Sequence, residues 1–304
     1  MRIMLPFLAC VSLGLIGLAV PLRGTGAGEA AARTSGLRVA SDLEEYQLIP
    51  MHSLPRSPEK SALDAYCSGY RAAKQSPLAR SIEKLGWIVT SEAPLGRFRA
   101  VSFASGFNPG TSALCFARNA NIAVFEGNAL VALAYPKRPY QGPDSNSNPI
   151  PLGIVEPLED GPGLLIWTDP PGVPVGELRV EGESLRLTAR AKEHAYCQGR
   201  ARVPDIYEKG IDTARRMLFA RGWKPQRPAE KPGDGDMARE MAKQGLIEAE
   251  ACSGTGVGFC NWAYRGKAGL LHVTTVGGAP EPANDTVSSY DVECGTPADL
   301  PSRQ

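Results

Sequence analysis

Apolar residues recur at helical spacing in two segments of the chain. In the first segment, Leu78, Ile82 and Leu85 fall at positions i, i+4 and i+7, which places them along one face of a helix. Ser76 can cap this helix, and Pro77 suits its first turn. The pattern therefore predicts an amphipathic helix with one buried face.

The second helical segment has its apolar stripe at Ile211, Ala214 and Leu218. Asp205 and Glu208 precede the stripe with the spacing of a capping box. We therefore expect this helix to begin close to these two carboxylates. Each helical segment ends in a Gly-Trp pair, where glycine can take the left-handed conformation that terminates a helix.

Strand-like segments follow both helices. After the second helix, we predict a further short helix at 236–244. Four strands are then predicted at 247–251, 259–264, 270–275 and 287–293. His272 lies within the third of these strands and is expected on a strand face. Between the two helices, 164–167 is a candidate buried strand and 177–189 is a candidate hairpin.

Three segments of the first half of the chain are echoed in the second half, in the same order. They are DAYCSG and HAYCQG, LARSIEKLGW and ARRMLFARGW, and AVFEGNALVAL and WAYRGKAGLLHV. The retained order favours a duplicated unit. We predict an α+β fold of two tandem related units, each a disulfide-bonded unit with a helix packed on a small antiparallel sheet.

Composition divides the chain into six segments. We predict a signal peptide at 1–27, a flexible N-terminal segment at 28–60, a first α+β unit at 61–140, a Pro- and Gly-rich connection with a β-hairpin at 141–190, a second α+β unit at 191–296 and a C-terminal tail at 297–304.

The signal peptide is predicted from Arg2, the uncharged apolar run that follows it and the small residues before Ala27. An uncleaved membrane anchor stays open as an alternative, because a run of this length nearly spans a bilayer. Cleavage would remove Arg2 and Arg23 from the 33 basic residues and none of the 32 acidic ones, which leaves a net charge of −1. We therefore expect an exported protein, periplasmic or extracellular, with no membrane span after cleavage and no nucleic acid as partner.

Six cysteines remain after such cleavage, an even count that predicts three disulfides in an exported chain. They are Cys67, Cys115, Cys197, Cys252, Cys260 and Cys294. No C-x-x-C is present, and His52, His194 and His272 stand singly along the chain. Because zinc ligands usually come in close pairs, we predict no metal-binding residue.

Alignment of the two repeats predicts how these cysteines pair. It sets Cys115 near Cys252, so we expect Cys67 to bond Cys115, Cys197 to bond Cys252, and Cys260 to bond Cys294. The alternative joins Cys252 to Cys260 and Cys197 to Cys294, because the glycines between residues 252 and 260 allow a sharp bend. Both pairings of the second unit stay open.

The glycine-rich GTGVG at 254–258 resembles a phosphate loop only in part. Its third glycine is displaced, and a strand-like aromatic run follows it where a dinucleotide site needs a helix. We therefore predict no cofactor. The carboxylate pairs Glu159/Asp160 and Glu248/Glu250 could act as acid and base, but nothing in their context distinguishes them, so we predict no catalytic residue.

The segment EACSGTGVGFC, with its C-S-G-T-G-x(3)-C pattern, is followed by an aromatic strand, a glycine turn, LLHVTT and a final VEC. This arrangement resembles a set of uncharacterised exported bacterial proteins over residues 194–295, and the resemblance implies no known activity. Tandem disulfide-bonded units of helix and sheet also look like the organisation of beta-lactamase inhibitor protein, a loose architectural analogy.

We expect a non-catalytic exported protein that binds or inhibits another molecule, with a protein or envelope ligand as its partner. Binding would use the surface of the two sheets or the cleft between the units. An envelope hydrolase with carboxylate acid and base residues is the alternative from another class, and a structural component of envelope assembly is a third.

Overall fold

Strands dominate the regular structure, at 50% of the described residues against 14% in helices. The computed structural model describes residues 36–59, 63, 65–110, 114–138, 151–168, 172–228, 237–253, 258–277 and 285–295. The predicted signal peptide at 1–27 and tail at 297–304 lie outside these residues. The expectation of antiparallel sheets with disulfides is confirmed, whereas the relation of the two units by duplication stays a prediction.

The described strands and helices number as follows in chain order. The strands are β1 (Arg38–Ser41), β2 (Tyr46–Pro50), β3 (Ile88–Leu95), β4 (Phe98–Ala104), β5 (Gly106–Pro109), β6 (Cys115–Arg118), β7 (Asn121–Glu126), β8 (Ala129–Pro136), β9 (Leu152–Pro157), β10 (Gly163–Thr168), β11 (Pro174–Glu181), β12 (Ser184–Thr188), β13 (Glu193–Tyr196), β14 (Ala201–Pro204), β15 (Lys224–Pro225), β16 (Ala249–Cys252), β17 (Phe259–Arg265), β18 (Gly269–Val276) and β19 (Thr286–Cys294). The helices are α1 (Pro77–Glu83), α2 (Ile211–Ala220) and α3 (Met237–Lys243), with a 3-10 helix at Ala65–Tyr70.

The first sheet is antiparallel, in the order β2-β8-β7-β4-β3. Helix α1 contacts one of its faces, where Ile82 packs in one cluster with Trp87 and Phe103. The predicted cap is confirmed, since the Ser76 hydroxyl accepts a hydrogen bond from the Ala79 amide at 3.1 Å. The sequence therefore specifies both the start of this helix and its buried face.

The middle sheet covers the opposite face of the first sheet, in the order β1-β12-β11-β10-β9. Side chains of both sheets interdigitate in one core, as Ile122 and Val124 of β7 do with Ile166 of β10. This arrangement corrects two expectations. The segment 28–60 was expected to be flexible, but it contributes β1 and β2, which are paired in the sheets. The connection 141–190 was expected to hold one hairpin, but it supplies four strands of a full sheet.

The last sheet follows the order β15-β17-β18-β19, with β16 also paired to β17. Ile211, Ala214 and Leu218 of α2 are all fully buried in the core of this sheet, as their spacing predicts. The predicted capping box is wrong, because α2 begins after Gly210. Both carboxylates of that box, Asp205 and Glu208, instead accept hydrogen bonds from the Arg190 guanidinium.

The three disulfides join Cys67 to Cys115, Cys197 to Cys294, and Cys252 to Cys260. The first is the predicted one. The preferred pairing of the other four cysteines is wrong, and the alternative is correct. Antiparallel pairing of β16 with β17 sets Cys252 directly opposite Cys260. These two cysteines therefore form a local bridge, which leaves Cys294 for Cys197.

Candidate functional site

Two edge strands, β9 of the middle sheet and β19 of the last sheet, form the walls of a cleft. Successive side chains of a strand point to opposite faces. On β9, Val155 therefore enters the core while Glu156 points outward. On β19, Tyr290 is buried and its neighbour Asp291 is exposed. This alternation places two carboxylates at the mouth of the cleft and a tyrosine in its wall.

The narrower half of the cleft, which we call the tyrosine pocket, has a volume of about 140 Å³. Tyr196, Tyr207 and Tyr290 line it. The rings of Tyr207 and Tyr290 stack at 4.5 Å between centroids, and Tyr196 meets Tyr290 edge to face at 6.2 Å. Such packing holds the three rings in place.

Glu156 and Asp291 lie at the mouth of this pocket. Asp291 stands opposite His272 of β18, whose pKa is raised by Glu250, Asp291 and Glu293. In the described part of the chain, no basic side chain lies within 4.0 Å of either carboxylate. The indole Nε1 of Trp167 donates a hydrogen bond to Glu156 Oε2 at 2.9 Å. Crowding by protein atoms and the nearby Asp291 charge raise the pKa of Glu156 above its usual range, against that hydrogen bond.

The tyrosine hydroxyls share this negative environment. Burial raises the pKa of Tyr196 to about 12, and the charges of Glu156, Asp160 and Glu159 add to the effect. Burial likewise raises the pKa of Tyr290. Tyr290 is only 8% exposed, and its buried hydroxyl interacts with the side chains of Tyr196 and Tyr207. The three tyrosines therefore form one buried cluster in the pocket wall.

A buried ion cluster supports the floor of the pocket. His194, at 2% exposure, has Nδ1 at 3.2 Å from Asp160 and Nε2 at 3.0 Å from Glu177, the latter outside hydrogen-bond geometry. Burial alone would lower the pKa of His194, but these two carboxylates raise it. Burial would raise the pKa of Glu177, but the contact with His194 and the hydrogen bonds from the Ala191 amide and Arg179 lower it. The cluster is therefore internally neutralised.

The wider half of the cleft, which we call the apolar pocket, has a volume of about 320 Å³. Ile154 and Trp167 of the middle sheet face Phe259, Thr274 and Ser289 of the last sheet across it. Glu156 lines both halves. The cleft thus combines an acidic, hydroxyl-lined end with an apolar end.

Another groove is larger, at about 480 Å³, and several of the polar groups that line it already have partners. The indole of Trp87 donates to the Pro55 carbonyl at 2.8 Å. Arg138 pairs with Glu45, and the Asn119 amide donates to Ser105. A ligand bound by these groups would have to break existing bonds, so we place the candidate site in the cleft between β9 and β19.

The structure gives the sequence-predicted polar residues mainly structural roles. Glu248 is fully buried beside Arg215. Glu250 lies 3.7 Å from His272. His272 lies on strand β18, as predicted. The pair Glu159/Asp160 reaches the cleft, but Glu159 accepts a hydrogen bond from the Cys197 amide and Asp160 pairs with His194. Within the described residues, no group of three or more His, Cys, Asp or Glu side chains could hold a metal ion.

The residues that sequence reasoning missed are Glu156, Asp291 and the three tyrosines. Glu156 and Tyr290 belong to no motif, and the relevant signal is the run VSSYDVEC, in which a tyrosine and an acid alternate on a predicted strand. Only the pairing of distant segments brings that strand to β9.

Comparison with known proteins yields no match to a protein family, a curated protein or a solved structure. None of the described helices is long and apolar enough to cross a membrane. The chemistry of the cleft therefore rests on its own geometry.

Proposed function

We propose that the protein is exported and binds a partner protein non-catalytically through the cleft between β9 and β19. Three disulfides support export, because such bonds persist in oxidising compartments such as the periplasm or the extracellular space. We further propose that the units around α1 and α2 are related by duplication, and that the binding surface is formed by the second unit together with the middle sheet.

The observation that carries this proposal is the apolar pocket that lies open between two edge strands, with Ile154, Trp167 and Phe259 in its lining. Apolar surface exposed beside the edges of two sheets is typical of a place where another protein docks. Glu156 and Asp291 place two exposed carboxylates beside it. A partner that covers the pocket would bury this apolar surface and meet both carboxylates.

The tyrosine pocket by itself is smaller than a typical small-ligand site. Pockets for small ligands measure roughly 300–1,000 Å³, whereas the tyrosine pocket holds about 140 Å³. That space suits one projecting side chain, which a larger molecule must hold in place from outside.

Site-specific cross-linking in the producing cells tests the proposal. A photoreactive residue at Ser289, in the apolar pocket, should capture one partner reproducibly, whereas the same residue at the exposed Ser81 of α1 should not. The capture should disappear in a Glu156→Ala, Tyr290→Ala background that still folds. Identical capture profiles from Ser289 and Ser81 would contradict the proposal.

A second candidate function, hydrolysis, rests on the raised pKa of Glu156 beside the Asp291 charge. A carboxyl whose pKa is raised beside a second carboxylate is an arrangement that general acid catalysis uses. Turnover of chromogenic glycoside or peptide substrates that is lost in Glu156→Gln would favour this candidate. Turnover that persists in Glu156→Gln, or none at all, would leave the binding function as the better account.

A further inference from the structure

We propose that the protein has a second binding site, at one end of the first sheet, for a small molecule that carries a phosphate monoester on a ring. The site is the groove of about 480 Å³ that Trp87 and Arg138 help to line, which we call the basic groove. It shares no lining residue with the cleft between β9 and β19. This inference therefore goes beyond the proposed binding function and does not depend on it.

The basic groove lies where strands of the first sheet begin or end. Strand β7 begins at Asn121, β8 ends at Pro136, and Trp87 directly precedes β3. Antiparallel pairing brings these three positions to the same end of the sheet. Arg56 and Lys137 reach the groove from connecting segments outside the strands. Such segments, positioned by a rigid scaffold, are frequent places for binding sites.

The charges of the basic groove favour an anion. Its described lining contains Arg56, Lys137 and Arg138 and no aspartate or glutamate. Arg138 pairs with Glu45 at 2.9 Å. The side chains of Arg56 and Lys137 are exposed, and neither forms an ion pair or a hydrogen bond with another residue that the structure describes. Two uncompensated positive charges therefore remain in the groove.

The carboxylates Glu45 and Glu59, which contact lining residues, do not cancel these charges. Glu45 is engaged by Arg138, and Glu59 pairs with Arg118 at 2.7 Å. A phosphate monoester carries a charge of about −1.5 to −2 at neutral pH, which matches the two free cations. A carboxylate would match only one of them, and a cationic ligand would be repelled.

The walls of the basic groove are rigid and partly apolar. They include Pro55, Pro58, Pro136, Pro151 and the edge of Trp87. Each proline ring fixes its own φ, and the indole of Trp87 is held by its hydrogen bond to the Pro55 carbonyl at 2.8 Å. A preformed apolar wall binds a flat ring with little loss of conformational freedom. Because small-ligand pockets measure roughly 300–1,000 Å³, the groove has room for such a ring with its phosphate.

Calorimetry with the purified protein and four matched probes tests the inference. Phenyl phosphate has the ring and the dianion, benzoate has the ring with one charge, phenol has the ring without charge, and inorganic phosphate has the charge without the ring. We expect phenyl phosphate to bind about tenfold more tightly than benzoate or inorganic phosphate, and to shift the NMR signals of the Trp87 indole and the Lys137 amide. No binding of phenyl phosphate, or affinity equal to that of any other probe, would overturn the inference.

Two matched double variants locate the effect. Arg56→Gln, Lys137→Gln should lower the affinity for phenyl phosphate about tenfold or more, because it removes both free cations. Lys209→Gln, Lys267→Gln removes the same charge from exposed residues outside the groove and should leave the affinity unchanged. All four positions are exposed, so both variants should keep the melting temperature of the wild type. Undiminished affinity in the first variant, or an equal loss in the second, would contradict the inference.

A vesicle experiment separates a soluble ligand from a membrane lipid. Phosphatidylcholine vesicles that contain phosphatidic acid present the same phosphate monoester on a lipid. We expect them not to retain the protein, because a lipid chain offers no ring to the proline-lined wall. Retention that is lost in Arg56→Gln, Lys137→Gln would assign the groove to a lipid head group and contradict the inference. Neither result bears on capture of a partner from Ser289, so the two proposals fail separately.

Discussion

The first and last sheets have corresponding strand orders, but their edge strands come from opposite ends of the chain. A hairpin, β7-β8 or β17-β18, lies inside each sheet. The strand beside the second arm of the hairpin is β2, from before the first helix, in one sheet and β19, from the end of the chain, in the other. The two sheets thus share a central hairpin but take the strand beside it from different parts of the chain.

The two sheets differ more in what covers them. The first sheet has α1 on one face and the middle sheet on the other, so β4 and β7 are buried almost throughout. On the last sheet, Asn261, Asp291 and Glu293 point away from the α2 core and are exposed. This difference shows that the first sheet is enclosed as structural core, while an edge and a face of the last sheet are accessible to a partner.

The largest effect that we expect concerns the disulfides that hold the last sheet. Replacing Cys197 and Cys294 with alanine opens a bridge between residues 97 positions apart, which should cost about 4.7 kcal/mol of unfolding free energy. Replacing Cys252 and Cys260 opens a bridge across only 8 positions and should cost about 2.5 kcal/mol by the same chain-entropy relation. Urea unfolding of both double variants measures the ranking, and the reverse order would contradict it.

The buried cluster that joins the middle sheet to β13 gives the next effect. Glu177→Gln removes the charge that His194 and Arg179 face and should cost about 3–5 kcal/mol, because a buried partner is left uncompensated. The matched control is Glu181→Gln at the exposed end of the same strand, which should change stability by less than about 0.5 kcal/mol. Equal losses in the two variants would show that the cluster has no special role.

The contrast between the two sheets is tested by truncating one side chain in each. Ile122→Ala, between the first and middle sheets, should cost about 2–5 kcal/mol, because the site is packed on all sides. Thr274→Ala, on the open face of β18, should stay within about 0.5 kcal/mol. A loss for Thr274→Ala as large as that for Ile122→Ala would mean that the open face is core as well.

The pH dependence of the cluster gives a smaller effect. The pKa of His194 is raised by Glu177 and Asp160, so its contribution to stability is complete below the usual histidine pKa and is lost as pH rises through the raised value. The pKa of Glu177 is lowered by His194, Ala191 and Arg179, so its contribution is lost only as pH falls through that lowered value.

The measurement is the melting temperature of the wild type and of Glu177→Gln between acidic and alkaline pH. The difference between them should be greatest between the two shifted pKa values and should shrink above that of His194. A difference that grows steadily with rising pH would contradict the charged pair.

Local features were the ones that sequence predicted well. Ser76 caps α1, and Gly86 and Gly222 take positive φ where their helices end, because these preferences depend on neighbouring residues alone. The short helix near 236–244 and the hairpin at 177–189 were predicted for the same reason.

Pairings between segments far apart in the chain could not be predicted from the sequence. The parallel pairing of β1 with β12 joins residues far apart in the chain, and no turn or periodicity signals it. The second-unit disulfides followed the register of β16 and β17 and departed from the repeat. Glu156 and Tyr290 meet only because two edge strands from different sheets lie together, so the candidate site had no local signature.

The comparison between an enclosed first sheet and an accessible last sheet is tested most directly by cross-linking from Ser289 and Ser81 side by side. The account predicts one specific partner from Ser289, lost in Glu156→Ala, Tyr290→Ala, with none from Ser81. A partner captured equally from both positions, or from Ser81 alone, would contradict it.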